Sequence, residues 1–144
     1  MKRVIMPVDA EPERLDRQLD TLERLFDRDG VEVTVLHVYE EIDTPADEAG
    51  KTILESINEN IESLQGVPET VEHAGTRLED DGVAVSLRTT TGEPKQAILD
   101  AADDVDADAI LIGNSRRTPV GKAVFGSVTQ GLILEGERPV LVAN

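Results

Sequence analysis

The 144-residue sequence predicts one α/β domain, residues 1–144, in which helices cover both faces of a mainly parallel sheet. Three observations predict it. Apolar runs of strand length alternate with stretches of helical period, giving the order β-α-β-α-β-α-β-α-β. Apolar residues make up 39% of the chain while the aromatics are Phe26, Tyr39 and Phe125, so the core must be built from Val, Ile, Leu and Ala, the composition of strands buried on both faces. The length suits a single core, and nothing in the chain reads as a linker, repeat or low-complexity tract.

RVIMPVD (3–9) is a continuous apolar run closed by Pro and Asp, the pattern of a central strand. Leu15, Leu19, Leu22 and Phe26 then recur at spacings of four, three and four, which places them on one face of a helix over 11–27. Asp9 or its neighbour should cap its start, and Gly30 should follow its end. VEVTVLHVYE (31–40) alternates before becoming solidly apolar and reads as the second strand. From Pro45 to Asp81 one helical face carries Ile53, Ile57, Ile61 and Leu64. The pattern breaks near Gly66 and Pro68 and resumes with Val71 and Leu78, so two helical pieces joined by a turn are expected. VAVSL (83–87) is the third strand, TTTGEP leads into a short helix with Ala97, Ile98, Ala101 and Val105, and ADAILIG (107–113) is the fourth strand. SVTQGLIL (127–134) is helical, and PVLVA (139–143) closes the sheet.

Charge and composition remove several classes of function. The chain has no cysteine, so thiolate nucleophiles, disulfides and cysteine metal sites are absent. The two histidines, His37 and His73, are too far apart in sequence to form a zinc-type cluster. The opening MKRVIMPVDAEPE is too short in its apolar run for a signal peptide, and no stretch could span a bilayer, which predicts a cytoplasmic protein with no membrane partner. The formal charge of −16, from 30 acids against 14 bases, repels nucleic acid. Acid enrichment with lysine confined to Lys2, Lys51, Lys95 and Lys122 also predicts a salt-in halophile, because multimolar salt screens such self-repulsion.

The acids are unevenly distributed. From Asn114 to Asn144 four bases stand against two acids, while ten bases and 28 acids lie upstream. The positive island is centred on IGNSRRTPVGKAVFGSV (112–128), where Arg116, Arg117 and Lys122 lie between Gly113 and Gly126-Ser127. In doubly wound sheets ligands bind beyond the carboxyl ends of the strands, where the strand order reverses. Here those ends carry Pro7-Val8-Asp9, His37-Val38-Tyr39, Thr91-Gly92-Glu93 and Gly113 with its loop. A glycine-bearing loop entering a helix can present N–H groups to an anion, with Ser127 adding a hydroxyl and Arg116 and Arg117 meeting phosphate oxygens. The other reading is that the glycines serve turn geometry and the arginines are solvated. Two phosphate motifs are excluded: Gly121-Lys122 is followed by Ala123, so there is no P-loop, and DAEPER after the first strand contains no GxGxxG.

The segment IGNSRRTPVGKAVFGSVTQGLILEGERPVLV, with PVD closing the first strand, LHV in the second, TGEP before the third helix and DADAILIG, resembles the universal stress protein family over nearly the whole chain. The family's nucleotide-binding pattern of Gly, two residues, Gly, nine residues and Gly-Ser is kept in register by Gly113, Arg116, Gly126 and Ser127. The resemblance implies a Rossmann-like fold, a five-stranded sheet of order 3-2-1-4-5, and a homodimer formed through the last strand, 139–143. It implies ATP as ligand, with Mg²⁺ on the phosphates. Pro7, Asp9 and Val38 would contact adenine and ribose; Gly113, Gly126, Ser127 and Val128 would lie along the phosphates with Thr129 adjacent. The chain departs from the pattern at Arg116, which replaces the second Gly, at Pro119, which removes a backbone donor, and at DAE (9–11), which replaces the usual DGS.

Two functions follow from the resemblance: an ATP-binding dimeric stress-response module, or a nucleotide-free member acting through protein contacts, which Arg116 and Ala10 favour. A dedicated enzyme is not expected. Asp9 is the strand-end acid and its expected partner is ribose, His37 suits a hydrogen-bonded core position, and His73 suits the surface. Slow ATP hydrolysis is left open.

Overall fold

The computed structural model describes residues 1–39, 68–113 and 127–143. β1 (Lys2–Pro7) is the middle of five parallel strands, and the order across the sheet is β3-β2-β1-β4-β5, as expected. Side chains on a strand alternate between faces, and β1 supplies a core on each. Val4 and Met6 pack with Leu15, Leu19 and Leu22 on one side, while Ile5 packs with Ile98, Ile110 and Leu132 on the other.

Helix α1 (Pro12–Leu25) buries Leu15, Gln18, Leu19 and Leu22. Its N-cap is Glu11, with Pro12 opening the first turn, where proline's missing N–H costs nothing. Asp9 caps no helix: its Oδ1 accepts from the Glu11 N–H at 3.1 Å, a turn made just before the helix begins. Gly30 does not terminate α1 either, since the helix ends at Leu25 and Arg28–Gly30 form a 3-10 turn of their own leading into β2 (Val31–Tyr39).

The first helical piece expected between Pro45 and Leu64 lies outside the described residues. The second is α2 (Glu69–Asp80), which packs Val71, Ala74 and Leu78 on the α1 side of the sheet. Gly82, at φ +81°, makes the turn into β3 (Ala84–Thr91). This strand runs four residues beyond the expected 87, because Arg88 to Thr91 continue the ladder opposite Leu36 to Tyr39. Helix α3 (Pro94–Asp104) begins at Glu93, whose carboxylate accepts from the N–H groups of Lys95 and Gln96 at 3.2 and 2.8 Å. β4 (Ala109–Gly113), α4 (Ser127–Glu135) and β5 (Val140–Ala143) complete the chain.

The strand order creates the crevice that positions the site. β2 and β3 are laid down on one side of β1, and the chain then returns to place β4 on the other. The β1–β4 ladder pairs Val4 with Ala109 and Ile5 with Ile110 and goes no further among the described residues. Beyond Ile5 the two strands part at their carboxyl ends.

Candidate functional site

A cleft of about 350 Å³ opens where β1 and β4 part. Its walls come from the ends of β1, β2 and β4, the first turn of α1, and the beginnings of α3 and α4. Seven of the ten residues singled out from the sequence meet here: Pro7, Asp9, Val38, Gly113, Ser127, Val128 and Thr129. They lie up to 122 positions apart in sequence and are brought together by the strand ends and the start of α4. Arg116, Arg117 and Gly126 lie outside the described residues. Thr91, Gly92 and Glu93, expected at the same crevice, instead line a separate groove between the end of β3 and α3, and Pro94 and Ile98 take their place in the cleft wall.

The β1 side of the cleft is held by hydrogen bonds to main-chain carbonyls. His37 Nδ1 lies 2.9 Å from Val8 O, an acceptor, so Nδ1 carries the proton and, in the neutral ring, Nε2 is left as the acceptor. The ring stands edge-on to Tyr39 at 89°, with centroids 4.7 Å apart. The hydrogen bond is the one expected of His37, but the residue is half-buried and lines the cleft rather than sitting in the core. Thr70, from α2, donates to Asp9 O at 2.5 Å and fixes the backbone where β1 ends. His73 is exposed, as expected.

Two residues that sequence reasoning passed over shape the site. Arg14, in the first turn of α1, lines the cleft with a guanidinium paired to Asp9 through Nη1 and to Glu11 through Nη2, the latter at 3.0 Å. Its stem lies against Gly113. A Cβ built on Gly113 would overlap Arg14 Cγ and stand 2.8 Å from Cδ, so the room opened by this glycine is taken by a side chain of the protein itself. Gln18, one turn further along α1 and only 1% exposed, donates from Nε2 to Pro7 O at 2.7 Å and to Leu111 O at 3.2 Å, closing the floor where the ladder stops. A signal was present in the spacing: Gln18 interrupts the stripe of Leu15, Leu19 and Leu22 with a polar group, and Arg14 precedes it by four positions on the same face.

Chemically, the cleft combines an apolar wall of Val8, Leu36, Val38, Ile98 and Ile112 with a carboxylate–guanidinium pair and the Ser127 and Thr129 hydroxyls at the start of α4. Such a wall accepts a flat or apolar ring, and the polar end accepts hydroxyls and anions. Among the described residues no group of three His, Asp or Glu side chains could hold a metal ion.

Known proteins carry the same architecture. A universal stress protein of Mycolicibacterium smegmatis is 40% identical over 75 residues, 51% of this chain and 58% of that protein, so the match spans little more than half of that relative. The structure of a Methanocaldococcus jannaschii universal stress protein superposes with a TM-score of 0.77 at 28% identity, covering 99% of this chain and 94% of the other. An Archaeoglobus fulgidus universal stress protein, solved in complex with dAMP, shares the fold at a TM-score of 0.63 and 24% identity, covering 100% of this chain and 98% of that one. A sequence model of the universal stress protein family matches residues 1–144 from end to end, in agreement with the strand order and its crevice, and this chain belongs to that family.

Proposed function

We propose that the protein is an adenine-nucleotide-binding stress-response module, with ATP as the ligand and the cleft between β1 and β4 as its seat. The observation that carries this reading is the convergence of Pro7, Asp9, Val38, Gly113, Ser127, Val128 and Thr129 on one cleft, whose volume of about 350 Å³ falls within the range of small-molecule sites. Adenine would lie against Val38 and its apolar neighbours, ribose near Asp9, and the phosphates toward Ser127 and the start of α4, where the helix dipole favours negative charge. Arg116 and Gly126 belong to the same proposal through the register of the sequence motif, and Arg117 as the cation beside Arg116. The related A. fulgidus protein that holds dAMP supports an adenine ligand on this fold.

A binding module fits better than a catalyst because the cleft acid Asp9 is engaged by Arg14, and His37 is held by Val8 O. Homodimerisation through β5 is part of the proposal. Among the described strands β5 is at one edge of the sheet and β3 at the other, Val140 to Val142 are half-buried, and Leu134 on the preceding helix is 82% exposed. The acidity of the chain supports a cytoplasm of high salt as its setting.

Calorimetric titration of Mg-ATP in concentrated KCl tests the reading. Wild type should bind, and the double variant Gly126→Val with Ser127→Ala should lose most of the affinity. No heat from wild type, or equal affinity in the two proteins, refutes it. Sedimentation velocity should give a dimer, and a monomer at micromolar concentration refutes that part. The second reading, a nucleotide-free interaction module, is favoured by one observation, the Arg14 stem filling the room beside Gly113. Nucleotide released from the purified protein would exclude it.

A further inference from the structure

We propose that Arg14 makes the cleft select phosphorylated ligands over the corresponding nucleosides, an inference that rests on the nucleotide reading above. Described residues on three elements hold this cation. Its backbone is in the first turn of α1, its stem lies on Gly113 at the carboxyl end of β4, and its guanidinium sits between Asp9 and Glu11. The side chain is 23% exposed, so its charge acts in a partly water-excluded setting where it counts for more than on an open surface.

Removing that charge would leave two carboxylates close enough to share one guanidinium, Asp9 in the cleft wall and Glu11 beside it, in a chain that already carries −16. With Arg14 present, phosphate oxygens have a partner. Glu11 Oε2, 3.0 Å from Nη2, is exchanged for a phosphate oxygen, one charge-assisted hydrogen bond replacing another, while Nη1 remains on Asp9 and the guanidinium keeps its orientation. A nucleoside brings no anion to make that exchange and gains nothing from Arg14. Arg14 is therefore a specificity residue for the polar end of the ligand, and Asp9 positions it.

The test measures the affinities of Mg-ATP and adenosine for the full chain and for Arg14→Met, by calorimetry at one fixed ionic strength. Methionine keeps an unbranched stem beside Gly113 and drops the charge. ATP affinity should fall on the order of tenfold or more, as expected for loss of a hydrogen bond to a charged group, while adenosine affinity changes by less than about twofold. Arg14→Lys should restore part of the preference for ATP. Equal losses for both ligands would mean that Arg14 only shapes the cleft, and unchanged or tighter ATP binding would mean that it only obstructs it; either result overturns the inference. Wild type that binds adenosine but not ATP overturns it while leaving the adenine reading intact, and wild type that binds neither removes both. Should Arg14→Met fail to fold, Arg14→Gln is held to the same ATP-to-adenosine ratio.

Discussion

Replacing Gln18 by leucine isolates the element on which the cleft floor depends. Val8 N donates to Leu36 O, so the main-chain groups of the preceding residue, Pro7, point the other way, toward β4. Proline has no N–H to offer there, and the ladder cannot continue. Gln18 supplies the missing donors, one amide nitrogen serving Pro7 O at 2.7 Å and Leu111 O at 3.2 Å. Leucine fills similar space but donates nothing, leaving two carbonyls with their desolvation cost at about 1–3 kcal/mol each, partly relieved on the cleft side by water. A loss of about 2–4 kcal/mol is expected, which for a chain of this size lowers the melting temperature by about 5–15 °C. Thermal unfolding followed by far-UV circular dichroism, with urea unfolding at the same salt concentration, measures both quantities. Gln18→Glu gives a signed companion result. A carboxylate facing two carbonyl oxygens is favoured in its protonated form, so its folded pKa lies above the unfolded value. The variant should therefore lose stability as pH rises from about 4 upward. A Gln18→Leu protein within about 0.5 kcal/mol of wild type would show that the two carbonyls need no donor, and the account of the crevice would be wrong.

Three further outcomes are expected. Gly113→Ala should destabilise by about 1–3 kcal/mol, because its Cβ overlaps Arg14 Cγ and stands 3.2 Å from the Arg14 carbonyl oxygen. The penalty should shrink in an Arg14→Ala background, and equal penalties in both backgrounds would place the clash elsewhere. Lys95 is held above the ordinary lysine value of 10.5, chiefly by its hydrogen bond to Glu135, so the stability it contributes is intact below 10.5 and is lost as pH rises through the higher folded value. Glu135→Gln should return the Lys95 titration, followed by NMR, toward 10.5, and an unmoved titration would assign the shift to another group. The melting temperature should climb steadily from dilute buffer to multimolar KCl, and a flat or falling curve would refute the high-salt setting.

What could be read from the sequence follows from which forces are periodic. The strands and the faces of α1 and α2 declare themselves through apolar spacing; the strand ends point to Pro7, Val8, Asp9, His37, Val38 and Gly113 of the cleft, and the start of the last helix adds Ser127, Val128 and Thr129. The end of β3 was misplaced because Thr89, Thr90 and Thr91 carry no apolar alternation, and what extends the strand is the ladder opposite His37 to Tyr39, a tertiary pairing. Helical spacing places the start of α1 within a residue, at its N-cap Glu11, but it cannot show that Asp9 makes a turn onto the Glu11 N–H instead of capping the helix that Pro12 opens. Arg14 and Gln18 were passed over for a different reason. Their roles depend on what lies opposite them, Gly113 and the carbonyls of Pro7 and Leu111, and no local pattern shows where β4 will lie relative to α1.

High net charge and the proposed anionic ligand are reconciled by distance. At about 1 M salt the screening length is near 3 Å, so the field of surface acids more than a few ångströms from the cleft is largely lost, while groups in contact still interact. The charges that then decide which ligand stays are those touching it, and among the described residues the guanidinium in the cleft wall belongs to Arg14. The acids that make the chain −16 can thus serve hydration over most of the surface without determining what the cleft accepts. Asp9 and Glu11 are the acids for which this separation fails, since each is paired with Arg14 and no ion atmosphere intervenes. Placing a guanidinium between them keeps an acidic surface compatible with the proposed nucleotide site.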